Sequence, residues 1–165
     1  MEYNRALTTI RVPILLWALM VLELRQRGAG KGESGAFLLG RRQGFSAQAT
    51  NYICYDDLDP QACRYGAVTF HAAGYADLWQ YCREKKVEVL ADVHTHPGKS
   101  VEQSPIDRRN PMVPVVGHIA TILPNYGYTP WWSLRDVGVY EYLGDLKWRA
   151  YGPSEKRRPI RLTIW

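Results

Sequence analysis

The first apolar stretch of the chain covers residues 12–22, where 11 consecutive positions read VPILLWALMVL. Glu23 and the two arginines that follow it continue this stretch as an amphipathic helix, and Gly28 begins a glycine-rich segment that ends it. Pro13 suits the first turn of such a helix. We therefore predict a buried first helix of about four turns. The run is shorter than the roughly 20 residues that span a bilayer; behind two N-terminal arginines it also has the character of a signal-peptide core, although no convincing cleavage site follows.

A hairpin and a second helix are predicted after this segment. Residues 34–40 and 45–55 have the composition of strands, and a short basic turn with a glycine joins them. Residues 74–86 place apolar side chains at the i, i+3, i+4 and i+7 spacing of a helix face. The middle of the chain thus begins with two antiparallel strands and continues into a helix.

The second half of the chain is dominated by strand patterns. Residues 87–96 alternate as a strand that Pro97 ends, and residues 98–114 form a polar loop in which Ser104 begins a short helix. Further strands are expected at 65–70, 115–123, 137–143, 148–151 and 160–165. The order of elements predicts an α/β fold, with a mixed and mostly antiparallel sheet flanked by helices.

Length and composition describe one globular domain over residues 1–165. The chain is 46% hydrophobic, 12% aromatic and 22% charged, which excludes a disordered chain. It is too short for a (β/α)₈ barrel, which needs roughly 200 residues or more. The three cysteines, Cys54, Cys63 and Cys82, form no CxxC pair, so we expect core thiols, no disulfide framework and a reducing, cytoplasmic location.

The positive charge is concentrated at the C-terminal end. Of 21 Lys+Arg and 16 Asp+Glu, residues 1–146 hold 15 of each, whereas residues 147–165 hold six basic residues and Glu155. This basic segment is either a solvated end or a docking strip for an acidic partner or nucleic acid. Nucleic acid is the weaker alternative because no recognised binding motif accompanies the charge, and no membrane partner is expected.

The strongest chemical signal is the sequence His-Thr-His-Pro at the end of the strand over 87–96. His94 and His96 are two positions apart, so both imidazoles project from one face of the strand and can reach one metal ion. Ser104 and Asp107 follow at a spacing that adds a carboxylate. Two histidines and one carboxylate suit a catalytic zinc, because three protein ligands leave a fourth position open.

Two other features bear on this ligand set. Ser104, Pro105 and Asp107 also form a typical helix start, which is compatible with a ligand role because the helix would fix the direction of Asp107. Asp92 lies on the same strand face as His94 and is a rival ligand or an outer partner of the site. Hydrolysis further requires a base, and Glu33 is the candidate because it opens an otherwise apolar strand.

Gly-Glu-Ser-Gly-Ala-Phe-Leu-Leu-Gly around Glu33, together with His-Thr-His-Pro, Ser104 and Asp107 at this spacing, closely resembles the JAMM (MPN+, JAB) zinc metalloprotease family, and the compact length is similar to its prokaryotic branch. The resemblance implies a single MPN (JAB1/MPN) domain with one zinc ion held by His94, His96 and Asp107. It implies Glu33 as general base toward the zinc-bound water and Ser104 as a hydrogen-bond donor to the oxyanion.

The same resemblance implies an isopeptidase that cleaves the amide after the C-terminal glycine of a ubiquitin-like protein, in precursor processing or in deconjugation. Ubiquitin-like activating and conjugating enzymes are then expected partners, and some prokaryotic members belong to antiviral defence systems. The chain departs from the eukaryotic pattern at Asp92, where those enzymes often carry an aromatic residue. His118 is similar to a feature of prokaryotic members and flanks the cleft, whereas His71 is expected to be a helix cap or surface residue.

Three alternatives remain open. Asp92, His94 and His96 also resemble the opening motif of polymerase-and-histidinol-phosphatase-type phosphoesterases, although those enzymes use many more histidines than the four present here. The chain could instead be a catalytically silent MPN scaffold or binding module. A third alternative is a DNA-repair-associated JAB domain, which the basic C-terminal segment keeps in consideration.

Overall fold

The computed structural model of the chain describes residues 8–165. This part of the chain contains eight strands and four α-helices, with a 3-10 turn after the fifth strand. The elements are β1 (Thr9–Pro13), α1 (Ile14–Gly28), β2 (Gly35–Gln43), β3 (Ser46–Cys54), α2 (Tyr55–Leu58), α3 (Ala72–Lys85), β4 (Glu88–Thr95), α4 (Pro105–Arg109), β5 (Ile119–Leu123), the 3-10 turn Asn125–Gly127, β6 (Gly138–Gly144), β7 (Lys147–Tyr151) and β8 (Ile160–Thr163).

All eight strands join one mixed sheet in the order β7-β6-β5-β4-β2-β3-β1-β8. Four neighbouring pairs are antiparallel, among them β2 with β3 and β2 with β4. Three are parallel, and one of these joins β4 to β5. The predicted mixed α/β class is therefore confirmed, and so is the hairpin of β2 and β3.

Apolar side chains cover both faces of the central strands. On one face, α1 buries Trp17, Met20 and Leu24 against alternate residues of β2 and β4. On the other face, α3 packs Leu78 over Phe37 and its neighbours. Strands that are buried on both sides carry nearly continuous apolar sequence, and the exposed ends of such strands are where polar side chains can gather.

The helix over 74–86 and the strand over 87–96 are confirmed as α3 and β4, and Ser104 caps α4 as the sequence predicts. The apolar run at 12–22 lies mostly in α1, which ends where Ala29 adopts a left-handed conformation. Among residues 8–165, no helix is long and apolar enough to cross a membrane.

The prediction of a strand over residues 65–70 is wrong. Its backbone donors are used elsewhere: Val68 N–H donates to the Glu33 carboxylate, and Thr69 N–H donates to the Ala62 carbonyl. Gly66 has a positive φ of 83°, which an extended strand does not use. The segment is a loop that contacts Glu33, just before the first residue of β2.

Two further boundaries differ from the prediction. Thr9–Pro13 forms the unpredicted strand β1, so Pro13 ends a strand and precedes the helix instead of lying in its first turn. The strand expected from residue 115 begins only at Ile119, because Val115 and His118 close a turn through the hydrogen bond from His118 N–H to the Val115 carbonyl.

The basic residues of 147–165 have different environments. Lys147 and Arg149 lie on β7 and Arg161 lies on β8, at the two opposite ends of the strand order. Arg158 is buried and donates to the carbonyl groups of residues 134 and 137. Arg158 is therefore a structural residue and is no part of an exposed docking strip.

The three cysteines are free thiols, as expected. Burial raises the pKa of Cys63 to about 12 and also raises the pKa of Cys82. Burial likewise raises the pKa of Cys54 well above its ordinary value. None of these thiols has the lowered pKa that a reactive cysteine needs, so their environments are those of core residues.

Candidate metal centre

The end of β4 presents two buried imidazoles on one side. His94 pairs with Gly35 of β2 in the antiparallel register, and His96 N–H donates to the Leu123 carbonyl at the end of β5. The two histidines are 6% and 9% exposed. Their Nε2 atoms are 3.2 Å apart. Nδ1 of His96 lies 3.3 Å from the Ser100 carbonyl oxygen, a contact that requires the proton on Nδ1 and leaves Nε2 for a ligand bond.

The short helix α4 supplies the carboxylate. The Ser104 hydroxyl oxygen accepts a hydrogen bond from Asp107 N–H at 3.1 Å, and Asp107 Oδ2 accepts one from Ser104 N–H at 2.7 Å, which together form a capping box. Pro105 occupies the first turn. A helix of five residues has little stability of its own, so this capping arrangement is what holds the Asp107 side chain in place.

Asp107 completes a set of three facing ligand atoms. Its Oδ1 is 3.6 Å from His94 Nε2, and its Oδ2 is 3.3 Å from His96 Nε2. Tetrahedral zinc with bonds of about 2.0–2.1 Å holds its ligand atoms about 3.3 Å from one another. One ligand atom from each of the three side chains lies within 4.8 Å of the other two, so the three residues could hold a single zinc ion, which would keep a further coordination position for another ligand.

The electrostatics of these groups are those of a strongly interacting cluster. Burial lowers the pKa of His94, but the carboxylates of Asp107 and Asp92 outweigh it and raise that pKa to about 9. Burial also acts to raise the pKa of Asp107, yet the two histidines hold it well below its ordinary value. Asp107 is thus an anion, as a metal ligand must be.

Glu33 lies beside this cluster, two residues before the first residue of β2. Thr95 N–H donates to the Ser34 carbonyl, which continues the β2/β4 register and sets Glu33 opposite His96. Glu33 Oε2 accepts a hydrogen bond from Val68 N–H at 3.3 Å. Burial raises the pKa of Glu33, while the charges of the two histidines oppose that rise. A half-buried carboxylate with a raised pKa is suited to exchange protons.

Gly35 allows this close approach of β2. A Cβ at this position would lie 2.1 Å from the ring of Tyr55, far inside van der Waals contact. The Tyr55 ring packs on Phe37 with a centroid distance of 4.8 Å. The aromatic cluster and the end of β2 therefore leave no room for a larger residue beside the site.

A cleft of about 380 Å³ adjoins the cluster and includes His94 and Asp107 in its wall. Three aromatic side chains tie the loop that carries Asp107 to the sheet and to α3: Tyr140 OH donates to the Val101 carbonyl, Trp148 Nε1 to that of Arg108, and Tyr75 OH to that of Met112. Besides His94 and Asp107, the cleft is lined by Val68, Thr69, Phe70, Tyr75, Asp92, Gln103, Ile106, Asn110, Pro111, Met112, Ala120 and Trp148. A larger cavity of about 710 Å³ contains none of the three ligands.

Asp92 does not join the ligand set. Its Oδ1 accepts a hydrogen bond from His118 Nε2 at 2.6 Å, and its Oδ2 lies 3.9 Å from His94 Nδ1, on the side of the ring away from the cluster. Sequence reasoning missed this pair because residues 92 and 118 share no motif. Only the parallel pairing of β4 with β5, in which Asp92 lies opposite Ala120, brings them together.

A second group of potential ligands consists of Glu23, Cys54 and Asp57. Arg27 already lies within this group and forms ion pairs with Glu23 at 2.5 Å and with Asp57 at 2.8 Å. The guanidinium supplies the positive charge that these carboxylates need, so a metal ion would have to displace it.

His71 lies apart from both groups at the start of α3, where its Nδ1 is 2.6 Å from Asp59 Oδ2. This position is that of a helix cap or surface residue, as the sequence predicts.

No protein-family profile matches the chain. The fold is similar to the solution structure of protein DSY2949 from Desulfitobacterium hafniense, with a TM-score of 0.64 at 18% sequence identity. The similarity covers 94% of this chain and 93% of that chain. At this identity the likeness concerns the fold alone.

Proposed function

We propose that this protein is a zinc-dependent isopeptidase of the JAMM (MPN+) class, built on an MPN-type fold. One observation carries the proposal: the imidazoles of His94 and His96 and the carboxylate of Asp107 converge with their ligand atoms within 4.8 Å of one another, and Glu33 lies beside them. Three protein ligands with an open position are typical of a catalytic zinc site, whereas structural zinc sites are closed by four. The adjoining cleft offers space for an extended peptide segment.

Zinc in this site would activate a water molecule, whose pKa falls from about 15.7 toward roughly 7, and would polarise the scissile carbonyl. Glu33 takes a proton from the attacking water and returns it to the leaving amine as the C–N bond breaks. Its raised pKa favours this exchange. The Ser104 oxygen accepts from Asp107 N–H, so its own proton can be donated to the oxyanion that forms on the carbonyl, a contribution of about 3 kcal/mol.

The substrate class in this proposal is a ubiquitin-like protein joined through its C-terminal glycine to an amine. It rests on the resemblance of the motifs around Glu33 and at His94 to Asp107. Ubiquitin-like activating and conjugating enzymes are the partners that such an activity implies, and a cytoplasmic location suits them.

The experiment uses a panel of ubiquitin-like proteins fused through their C-terminal glycine to a fluorescent amine. We expect the zinc-loaded protein to release the amine, and a chelator to stop the reaction. Glu33→Gln should keep zinc but lower the rate by at least about 10²-fold, because the base is lost while the ligands remain. Glu102→Gln removes an exposed carboxylate from the nearby loop and should leave the rate unchanged.

The outcomes separate the alternatives. Chelator-insensitive cleavage, or full activity of Glu33→Gln, would contradict the proposed chemistry. A wild-type protein that binds zinc but cleaves no member of the panel would favour the alternative of a catalytically silent MPN scaffold. In that case the protein should bind the same ubiquitin-like proteins without cleaving them.

A further inference from the structure

A buried carboxylate–imidazole pair lies behind the candidate metal centre. Asp92 is 1% exposed and His118 is 4% exposed, and the contact between Oδ1 and Nε2 measures 2.6 Å. The two residues come from different parts of the sheet, since Asp92 is on β4 and His118 immediately precedes β5. Burial acts to raise the pKa of Asp92, but His118 and His94 hold it below its ordinary value, so the carboxylate is charged.

The second oxygen of Asp92 faces the metal centre from behind. Asp92 Oδ2 is 3.9 Å from Nδ1 of His94, whereas Nε2 of the same ring faces the other ligands. A histidine that binds metal through Nε2 carries its proton on Nδ1, and a hydrogen-bond acceptor on that side fixes both the tautomer and the ring orientation. His96 has such an acceptor in the Ser100 carbonyl. For His94, the corresponding group is Asp92.

Stability alone does not account for this pair. Well-packed apolar side chains often stabilise a buried position at least as well as a pair that contains a charged group, and the residue directly opposite Asp92 on β2 is the apolar Phe37. The Asp92 carboxylate has a different consequence: it places a fixed negative charge next to the ring of one proposed ligand, His94.

We propose that Asp92 and His118 are positioning residues for the zinc ligand His94, with His118 holding Asp92 and Asp92 orienting the His94 imidazole. The inference rests on the proposed metal site. It does not depend on the substrate or on peptide cleavage. His94 Nδ1 lies 3.9 Å from Asp92 Oδ2, so a ring movement of about 1 Å would bring Nδ1–H within hydrogen-bond distance of this oxygen.

The test is the dissociation constant of zinc, measured by competition with a chromophoric chelator. Asp92→Asn removes the charge at almost constant volume, and we expect zinc binding to weaken by about 10- to 100-fold. His118→Leu should weaken it in the same direction, whereas His118→Gln retains an N–H donor and should restore much of the loss. Both residues act through His94, so their effects on zinc affinity should not add. The double variant Asp92→Asn/His118→Leu should bind zinc as tightly as the single variant with the lower zinc affinity.

Thr121→Val is the matched control. The Thr121 hydroxyl is buried and donates to the backbone carbonyl of Asp92 at 3.0 Å, so this variant perturbs the same spot without altering the carboxylate. It should lower the melting temperature of the metal-free protein but leave zinc affinity unchanged. The absorption spectrum of the cobalt-substituted protein should change in Asp92→Asn and not in the control.

Each outcome decides the inference. Zinc affinity of Asp92→Asn equal to wild type, or an equal loss in Thr121→Val, would overturn the positioning role while leaving the metal site intact. A wild-type protein that binds no zinc would overturn the metal site and this inference together. If Asp92→Asn does not fold, the comparison of His118→Gln with His118→Leu decides in its place, and equal affinities would count against the inference. Failure of peptide cleavage would affect the proposed function alone.

Discussion

Zinc should raise the melting temperature of this protein through Asp107, and Asp107→Asn should remove most of that increase. The substitution keeps the side-chain volume and an oxygen that can accept the Ser104 N–H bond of the capping box. It removes the negative charge that lies 3.6 Å from His94 Nε2 and 3.3 Å from His96 Nε2. The helix cap therefore survives while the ligand set loses its anion.

The magnitude follows from linkage. A ligand present at about 1,000 times its dissociation constant stabilises the folded state by about 4.1 kcal/mol. For a domain of this size, 1 kcal/mol corresponds to about 2–4 °C in melting temperature. The wild-type protein should therefore melt about 8–16 °C higher with zinc than with chelator.

The assay is thermal unfolding followed by circular dichroism, with and without zinc, for wild type, Asp107→Asn and Asp57→Asn. Asp57 belongs to the second group of potential ligands, where it is paired with Arg27. That variant should lose at most about 1 kcal/mol of stability and keep the full zinc shift. An undiminished shift in Asp107→Asn, or a shift that disappears in Asp57→Asn, would refute the assignment of the metal centre.

Three further results are expected. Ser104→Gly retains an acceptable helix cap, so the free energy of unfolding should fall by only roughly 0.3 kcal/mol. The rate of cleavage should fall by about 10²- to 10³-fold. If the fold-loss in activity is no larger than the fold-loss in zinc affinity, Ser104 acts only as a helix cap. Zinc must displace a proton from His94, because the pKa of this imidazole is about 9. Zinc affinity should therefore increase by up to about tenfold per pH unit until the pH reaches that value, and then level off. Calorimetry in two buffers that records no proton release near neutral pH would contradict this expectation. Gly35→Ala brings a methyl group within 2.1 Å of the Tyr55 ring and should cost about 1–3 kcal/mol in denaturant unfolding, whereas an unchanged midpoint would show that the ring yields freely.

The local parts of the site were predictable from the sequence because their residues lie close together in the chain. Residue spacing and capping chemistry predict β4, which ends before Pro97, and α4, which Ser104 caps. These two elements bring His94, His96 and Asp107 together. The position of Glu33 beside them depends on the pairing of β2 with β4. Spacing alone does not determine that pairing, and the resemblance to a known family supplied the expectation.

Long-range backbone pairing accounts for most of what the sequence did not predict. Strand β1 pairs in parallel with β3 and β8, which are distant in the chain, so no local turn signal marks it. The segment 65–70 has a strand-like composition, but its Val68 N–H is satisfied by the Glu33 side chain. The Asp92–His118 pair likewise arises only from strand order.

The division of the site between chain segments has a consequence for purified samples. All three proposed metal ligands lie between residues 94 and 107, whereas Glu33, the proposed general base, is held by Gly66 and Val68 of a separate surface loop. Surface loops open locally with much smaller free energies than the whole domain. Under the proposed function, a sample would therefore be fully metallated while only a fraction of its molecules have Glu33 in position, and specific activity would vary between preparations of identical zinc stoichiometry.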